Sequence, residues 1–226
     1  MADLSFVDAA FPTGIPSNIH FDGVCFYTGG DAYHVWSVAE LDGRHETYRL
    51  PIWVRSDPGS VNPTDDANSC VASLRAYGVP TGALVALDSE TSIDAAWTRT
   101  FVDTVNGQHH PVIDYGSQSD VMSNKNPDGY YWGADWTSVP HLHAGDQMTQ
   151  YVSYSGYDES LAESTLPFWK IGATVTFPFD QKNWRWCHKC QGLFYGPNEA
   201  ESHCPAGGTH DGSQSGDYEI TDTAAH

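Results

Sequence analysis

Basic side chains are scarce. Lys and Arg together number 10 against 29 Asp and Glu, a formal charge of −19 over 226 residues. A surface so short of cations repels nucleic-acid phosphates and an anionic bilayer alike, so neither is expected as a partner. Long apolar runs are missing too, and no stretch approaches the roughly eighteen residues of a membrane span. Met1-Ala-Asp-Leu-Ser-Phe6 has neither the basic start nor the apolar run of a secretory signal. The expectation is cytoplasmic synthesis without a cleaved leader, then association with a virion or release to act at the cell wall. Cysteine is sparse and uneven: Cys25 and Cys70 stand alone in apolar or helical surroundings, as small buried hydrophobes do. Aromatics are plentiful by contrast. Eight Trp and twelve Tyr can fill a core and still line a binding cleft.

The stretch around which the chain is organised is Gly82-Ala-Leu-Val-Ala-Leu-Asp88-Ser-Glu90. As a strand it alternates faces, so Asp88 and Glu90 point the same way with Cα atoms roughly 6.6 Å apart. Two carboxyls at the C-terminal end of a buried strand stand where an α/β barrel puts its chemistry. Solvated acids beyond a strand end are the plainer reading of an Asp-x-Glu pair.

The pattern around it favours the barrel. Residues 1–20, with Pro12, Gly14 and Pro16, read as an extended N-terminal arm without chemistry. Gly23–Thr28 reads as the first strand, His34–Leu41 as a helix and Arg49–Arg55 as the second strand. Pro63 opens a helix to Tyr77, with Asp65 and Asp66 favourable to its dipole. Ala83–Glu90 is the third strand, and Ser92–Val105 a helix with Trp97, Phe101 and Val105 on one face. Strands follow at Pro111–Gly116, Tyr130–Trp136 and Gln147–Tyr154, with few helices between them. The expectation is an α/β fold, a shortened and irregular (β/α) barrel over residues 21–170, followed by a small β-rich module over 181–226. About 150 residues is short for a barrel, where roughly 250 is typical, so an open doubly wound sheet is the alternative.

Several segments, in order, resemble the glycoside hydrolase family 25 muramidases and the related glycoside-hydrolase-like domain of actinobacteria and their phages. They are Arg49–Arg55, Leu87-Asp-Ser-Glu90, Ile113-Asp-Tyr-Gly116, Tyr131-Trp-Gly-Ala-Asp-Trp136, Thr149-Gln-Tyr151 and Gly156-Tyr-Asp158. The resemblance implies a sugar cleft at the strand C-terminal ends. Glu90 would be general acid, and Asp88 would orient substrate or stabilise positive charge. Tyr115, Trp132, Asp135, Gln150 and Asp158 would bind substrate. The family's first-strand acid is the point of departure, because Gly23-Val24 is followed by Cys25. Glycoside hydrolysis uses one protonated and one ionised carboxyl, and their separation sets retention or inversion.

From Gln181 the composition changes. Cys187-x2-Cys190, thirteen residues, Cys204, five residues and His210 have the spacing of a tetrahedral metal site. Some forty residues bury little core, so a metal would supply stability, and Zn²⁺ suits three thiolates and an imidazole. Four protein ligands leave no open position, which makes the site structural. Free thiols, a disulfide among the three, or His203 in place of His210 are the alternatives. The module resembles a short zinc-ribbon-like repeat of actinobacterial secreted and phage proteins, through Trp-Cys-x-Lys-Cys-Gln-Gly-Leu-Phe-Tyr and Cys-Pro-Ala-Gly-Gly-x-His-Asp.

Two functions follow. One is a muramidase-like enzyme acting on cell-wall glycan or another carbohydrate. The other is a non-catalytic virion, tail or wall-binding protein that keeps the barrel, with virion proteins or further copies of itself as partners.

Overall fold

The computed structural model describes residues 3–56, 61–89, 94–123, 129–172 and 181–220. Glu90, the expected general acid, lies outside the described residues. The chain divides into two compact units, Met1–Ala173 and Thr174–His226.

Eight strands of the first unit close into a barrel. They are β1 (Leu4–Asp8), β2 (Gly23–Gly30), β3 (Tyr48–Val54), β4 (Val85–Asp88), β5 (Val112–Ser117), β6 (Tyr130–Ala134), β7 (Met148–Ser153) and β8 (Asp158–Ala162). Neighbours from β1 to β7 pair in parallel, whereas β8 is antiparallel to both β7 and β1 and seals the ring. A short ninth strand, β9 (Trp169–Lys170), pairs antiparallel with the start of β3.

Chain length explains the reversal at β8. A parallel return needs a crossover of a dozen residues or more. Between β7 and β8 lie only residues 154–157, closed by the Tyr154 N–H donating to the Tyr157 carbonyl at 2.9 Å. Gly156 takes a φ of 111° in this hairpin. A Cβ on Gly14 would stand 2.4 Å from the Gly156 carbonyl oxygen, so the segment after β1 seats against the hairpin.

One correction concerns residues 1–20. Within the segment expected as an extended arm ahead of the barrel, Leu4–Asp8 is the first barrel strand. The expected first, second and third strands are therefore β2, β3 and β4.

The barrel wall reads in alternation. Leu84 and Ala86 join the interior cluster with Phe6, Cys25, Leu50, Ile52, Ile113, Trp132 and Met148. Val85 and Leu87 face the other way, into a cluster with Ala67, Cys70, Leu74, Trp97 and Phe101. That second layer comes from α2 (Pro63–Ala76) and α3 (Ala95–Gly107), the long helices; α1 (Val38–Asp42) and α4 (Gln118–Ser123) are short. Each start has a local cause. Asn62 accepts from the Thr64 N–H at 2.9 Å, with Pro63 opening α2. Asp94 accepts from the Ala96 and Trp97 N–H groups and caps α3; Ser92, the expected start, lies outside the described residues. Ser37 and Glu40 form a reciprocal capping box, which starts α1 later than the expected His34.

The second unit holds a three-stranded antiparallel sheet of β10 (Gln181–Trp186), β11 (Leu193–Tyr195) and β12 (Tyr218–Ile220), with β10 in the centre. Its buried cluster is Cys187, Phe194 and Cys204. Among the described residues no helix is long and apolar enough to cross a membrane.

Candidate functional site at the barrel mouth

Three strands end in aspartate at the same rim. Leu4 and Phe6 face the interior, so Asp8, the last residue of β1, continues that face. Leu84 and Ala86 set the same direction for Asp88 at the end of β4. β8 runs the other way, so its first residue, Asp158, arrives at the same end, on the face of Ser160 and Ala162. Asp8 and Asp158 are partners in the β1–β8 ladder, and Asp8 and Cys25 are partners in the β1–β2 ladder.

Tyr27 of β2 senses all three acids. Burial first, then the charges of Asp8, Asp88 and Asp158, hold its phenol well above the ordinary tyrosine range. Burial, reinforced by Asp8, does the same to the Cys25 thiol, which stays neutral. An acid therefore does close the first strand, but it is Asp8 of β1. Cys25 lies beside it. Asp22, the other acid near that expected position, instead accepts from the Ser5 N–H and hydroxyl, both at 2.8 Å, tying the starts of β1 and β2 together.

An aromatic and amide group stands across the mouth. The Tyr115 hydroxyl donates to Gln150 Oε1 at 3.0 Å, and Trp136 Nε1 donates to the same oxygen at 2.9 Å. Trp132 packs on Tyr115 with centroids 4.5 Å apart and donates to Ser160 Oγ at 3.1 Å. Trp136 itself is 66 % exposed, a ring offered to solvent. Tyr154 and Tyr157 stack at 4.8 Å in the β7–β8 hairpin. Of the expected substrate residues, Tyr115, Trp132 and Gln150 are thus joined in one network, and Asp158 meets Asp8. Asp135 is engaged differently: its Oδ2 contacts His141 Nε2 at 3.0 Å and His143 Nδ1 at 2.9 Å.

Ser89 faces away from the mouth, donating to Asp114 Oδ1 at 2.9 Å and to the Tyr115 carbonyl at 3.1 Å. Burial raises the Asp114 carboxyl to about 6, against the lowering influence of Ser89 and Arg55. Asp8, Tyr27 and Asp114 escaped the sequence reading. The signal for Asp8 was present, since Leu4-Ser-Phe-Val-Asp8 has inward apolar residues running into an acid, as Ala83–Asp88 does.

In the second unit, the donor atoms of Cys187, Cys190, Cys204 and His210 all lie within 4.8 Å of one another. Cys187 and Cys204 Sγ are 3.9 Å apart, and Cys190 Sγ is 3.5 Å from His210 Nδ1. A disulfide would need about 2.05 Å, and all three cysteines are free. Burial opposes the Cys187 thiolate. Donors from the Asp211 and Cys190 backbone and from His210 outweigh it and bring the thiol down to about 5. The Asp211 N–H reaches Cys187 Sγ at 3.3 Å. Phe194 stacks on the His210 ring at 4.7 Å and fixes its plane. This set can hold a metal ion.

No family model and no curated protein sequence matches the chain. Solved structures do. An uncharacterised B. stearothermophilus protein aligns with TM-score 0.60 and 15 % identity, over 72 % of this chain and 97 % of that one. GHIP, a glycosyl hydrolase 25 of Streptococcus pneumoniae, aligns with TM-score 0.53 and 10 % identity, over 71 % and 87 %. The modular autolysin LytC of the same organism, bound to a synthetic peptidoglycan ligand, aligns with TM-score 0.52 and 15 % identity, over 70 % and 46 %. At such identities the likeness is one of fold, and the fold is the barrel of the family 25 glycoside hydrolases.

Proposed function

We propose that the barrel mouth binds a peptidoglycan-type glycan and hydrolyses its glycosidic bond by carboxylate catalysis. The observation that carries this reading is the convergence of Asp8, Asp88 and Asp158 on Tyr27 at one rim. Acids gathered in one cleft raise one another's proton affinity, so one stays protonated while another remains ionised. Glu90, two residues beyond Asp88, is assigned as general acid to the leaving oxygen. Asp8, Asp88 and Asp158 hold the negative charge that stabilises the oxocarbenium-like transition state. Tyr115, Trp132, Trp136 and Gln150 bind the sugar through ring faces and hydrogen bonds. LytC's peptidoglycan ligand supports the substrate class.

In the second unit, Cys187, Cys190, Cys204 and His210 are assigned to a structural zinc ion. Three soft thiolates and one imidazole suit that metal, and four ligands close its coordination.

The test is turbidity loss of purified cell walls. The wild-type protein should clear them. Glu90→Gln and Asp8→Asn should each be slower by at least about 100-fold, the scale of a lost acid or base. A folded wild-type protein that sediments with walls without clearing them would replace hydrolysis with glycan binding, a reading the exposed Trp136 rim also serves. One that neither binds nor clears walls would sink both.

A further inference from the structure

We propose that Asp135, His141 and His143 form a second metal site, for a divalent transition ion of the zinc class, at the edge of the barrel mouth. Their donor atoms lie within 4.8 Å of one another. Both ring nitrogens already converge on a single carboxylate oxygen, at 3.0 and 2.9 Å. Ligands about 2.0–2.1 Å from a tetrahedral zinc stand roughly 3.3 Å from each other, so the two nitrogen–oxygen contacts need spread by only a few tenths of an ångström around an ion.

Hydrogen bonding orients the first histidine for such a role. His141 Nδ1 lies 2.9 Å from the Val139 carbonyl oxygen, which only accepts, so Nδ1 carries the proton. In a neutral ring the Nε2 lone pair then faces the Asp135 carboxylate, and two lone pairs at 3.0 Å repel. A cation belongs between them. Ligating histidines characteristically donate their other N–H to a carbonyl, as His141 does here.

The frame is preformed. The Asp135 N–H donates to the Gln150 carbonyl at 3.0 Å, and the His143 N–H to Thr149 Oγ1 at 2.9 Å, both on β7. Two of the three ligands are therefore tied to the barrel wall. The three side chains are 30–36 % exposed, enough for an ion to enter from solvent. Three protein ligands leave a coordination position open to water. The ion would clamp the segment from 135 to 143, which carries Trp136.

A second ring proton is the competing cation, and metal content separates the two. Full-length protein is stripped with a chelator, reloaded with Zn²⁺ at pH 7.5, desalted, and its zinc measured per chain. Wild type should retain one zinc more than His141→Ala/His143→Ala. Asp135→Asn, which keeps the size and an acceptor, should weaken the extra zinc at least tenfold. The same difference should persist when Cys187 and Cys190 are both changed to Ser, which removes the other cluster. Equal zinc in wild type and both cluster variants, all with unchanged metal-free melting temperatures, would overturn the site.

Discussion

Asp8 and Asp158 stand opposite one another on adjacent antiparallel strands. Directly paired side chains in such a ladder have Cβ atoms about 5 Å apart, and like charges there are destabilising. Asp8 is only 4 % exposed, so water does little to screen it. Asp158→Asn should therefore raise stability at pH 7 by about 0.5–1 kcal/mol while slowing wall hydrolysis at least tenfold. Urea midpoints and turbidity rates read the two effects. A lower midpoint in the variant would contradict the opposition of charges.

The Asp114 carboxyl supplies a pH signature away from the mouth. Its folded value, about 6, lies above the ordinary aspartate value. The group therefore favours the folded state most below about pH 4, and that contribution is lost as pH rises through 6. Asp114→Asn keeps an acceptor for Ser89 but cannot ionise. Its advantage over wild type should be near zero at pH 4 and grow to about 1–3 kcal/mol at pH 8. Paired denaturation curves at the two pH values measure it.

Trp136 presents its ring to solvent while its N–H holds Gln150. Replacing it by Ala should weaken glycan binding roughly three- to tenfold, the scale of one lost ring face. The melting temperature should stay within about 1 °C, since an exposed side chain contributes little to the core. Sedimentation with cell walls and a thermal melt check the pair of outcomes.

The cysteine cluster makes a prediction about thiol reactivity. Metal-bound protein should show almost no rapidly reacting thiol toward an aromatic disulfide reagent. After chelation, three should react, from Cys187, Cys190 and Cys204. Cys25 and Cys70 should stay protected, because both are buried and burial raises their thiols. Five fast thiols would mean that the barrel had opened as well.

Much of the barrel was legible from periodicity. Val85 to Asp88 reads as a strand because apolar residues of both facings run unbroken into an acid. α2 is legible because Pro63, Asp65 and Asp66 mark its start. β1 was hidden by its surroundings. Pro12, Gly14 and Pro16 make the first twenty residues look like a loop, and a five-residue strand containing Ser5 lacks the apolar length of β4. The short apolar run into Asp8 is a weak signal by itself; the tie between Ser5 and Asp22 and the pairings with β2 and β8 establish the strand, and all are long-range. Asp135 shows the same limit from the other side. It follows the β6 strand that sequence places at the mouth, but what it meets depends on His141 and His143, in a stretch broken by Pro140 with no period to read.

The sealing of the ring by β8 has a consequence for how the protein comes into being. The seam joins the first strand of the unit to the eighth, so it cannot zip until nearly the whole unit has left the ribosome. Contacts so distant along the chain form slowly. The two acids that face each other across that seam arrive from opposite ends of the unit. The rim where they meet is therefore incomplete in a nascent or clipped chain that lacks either strand.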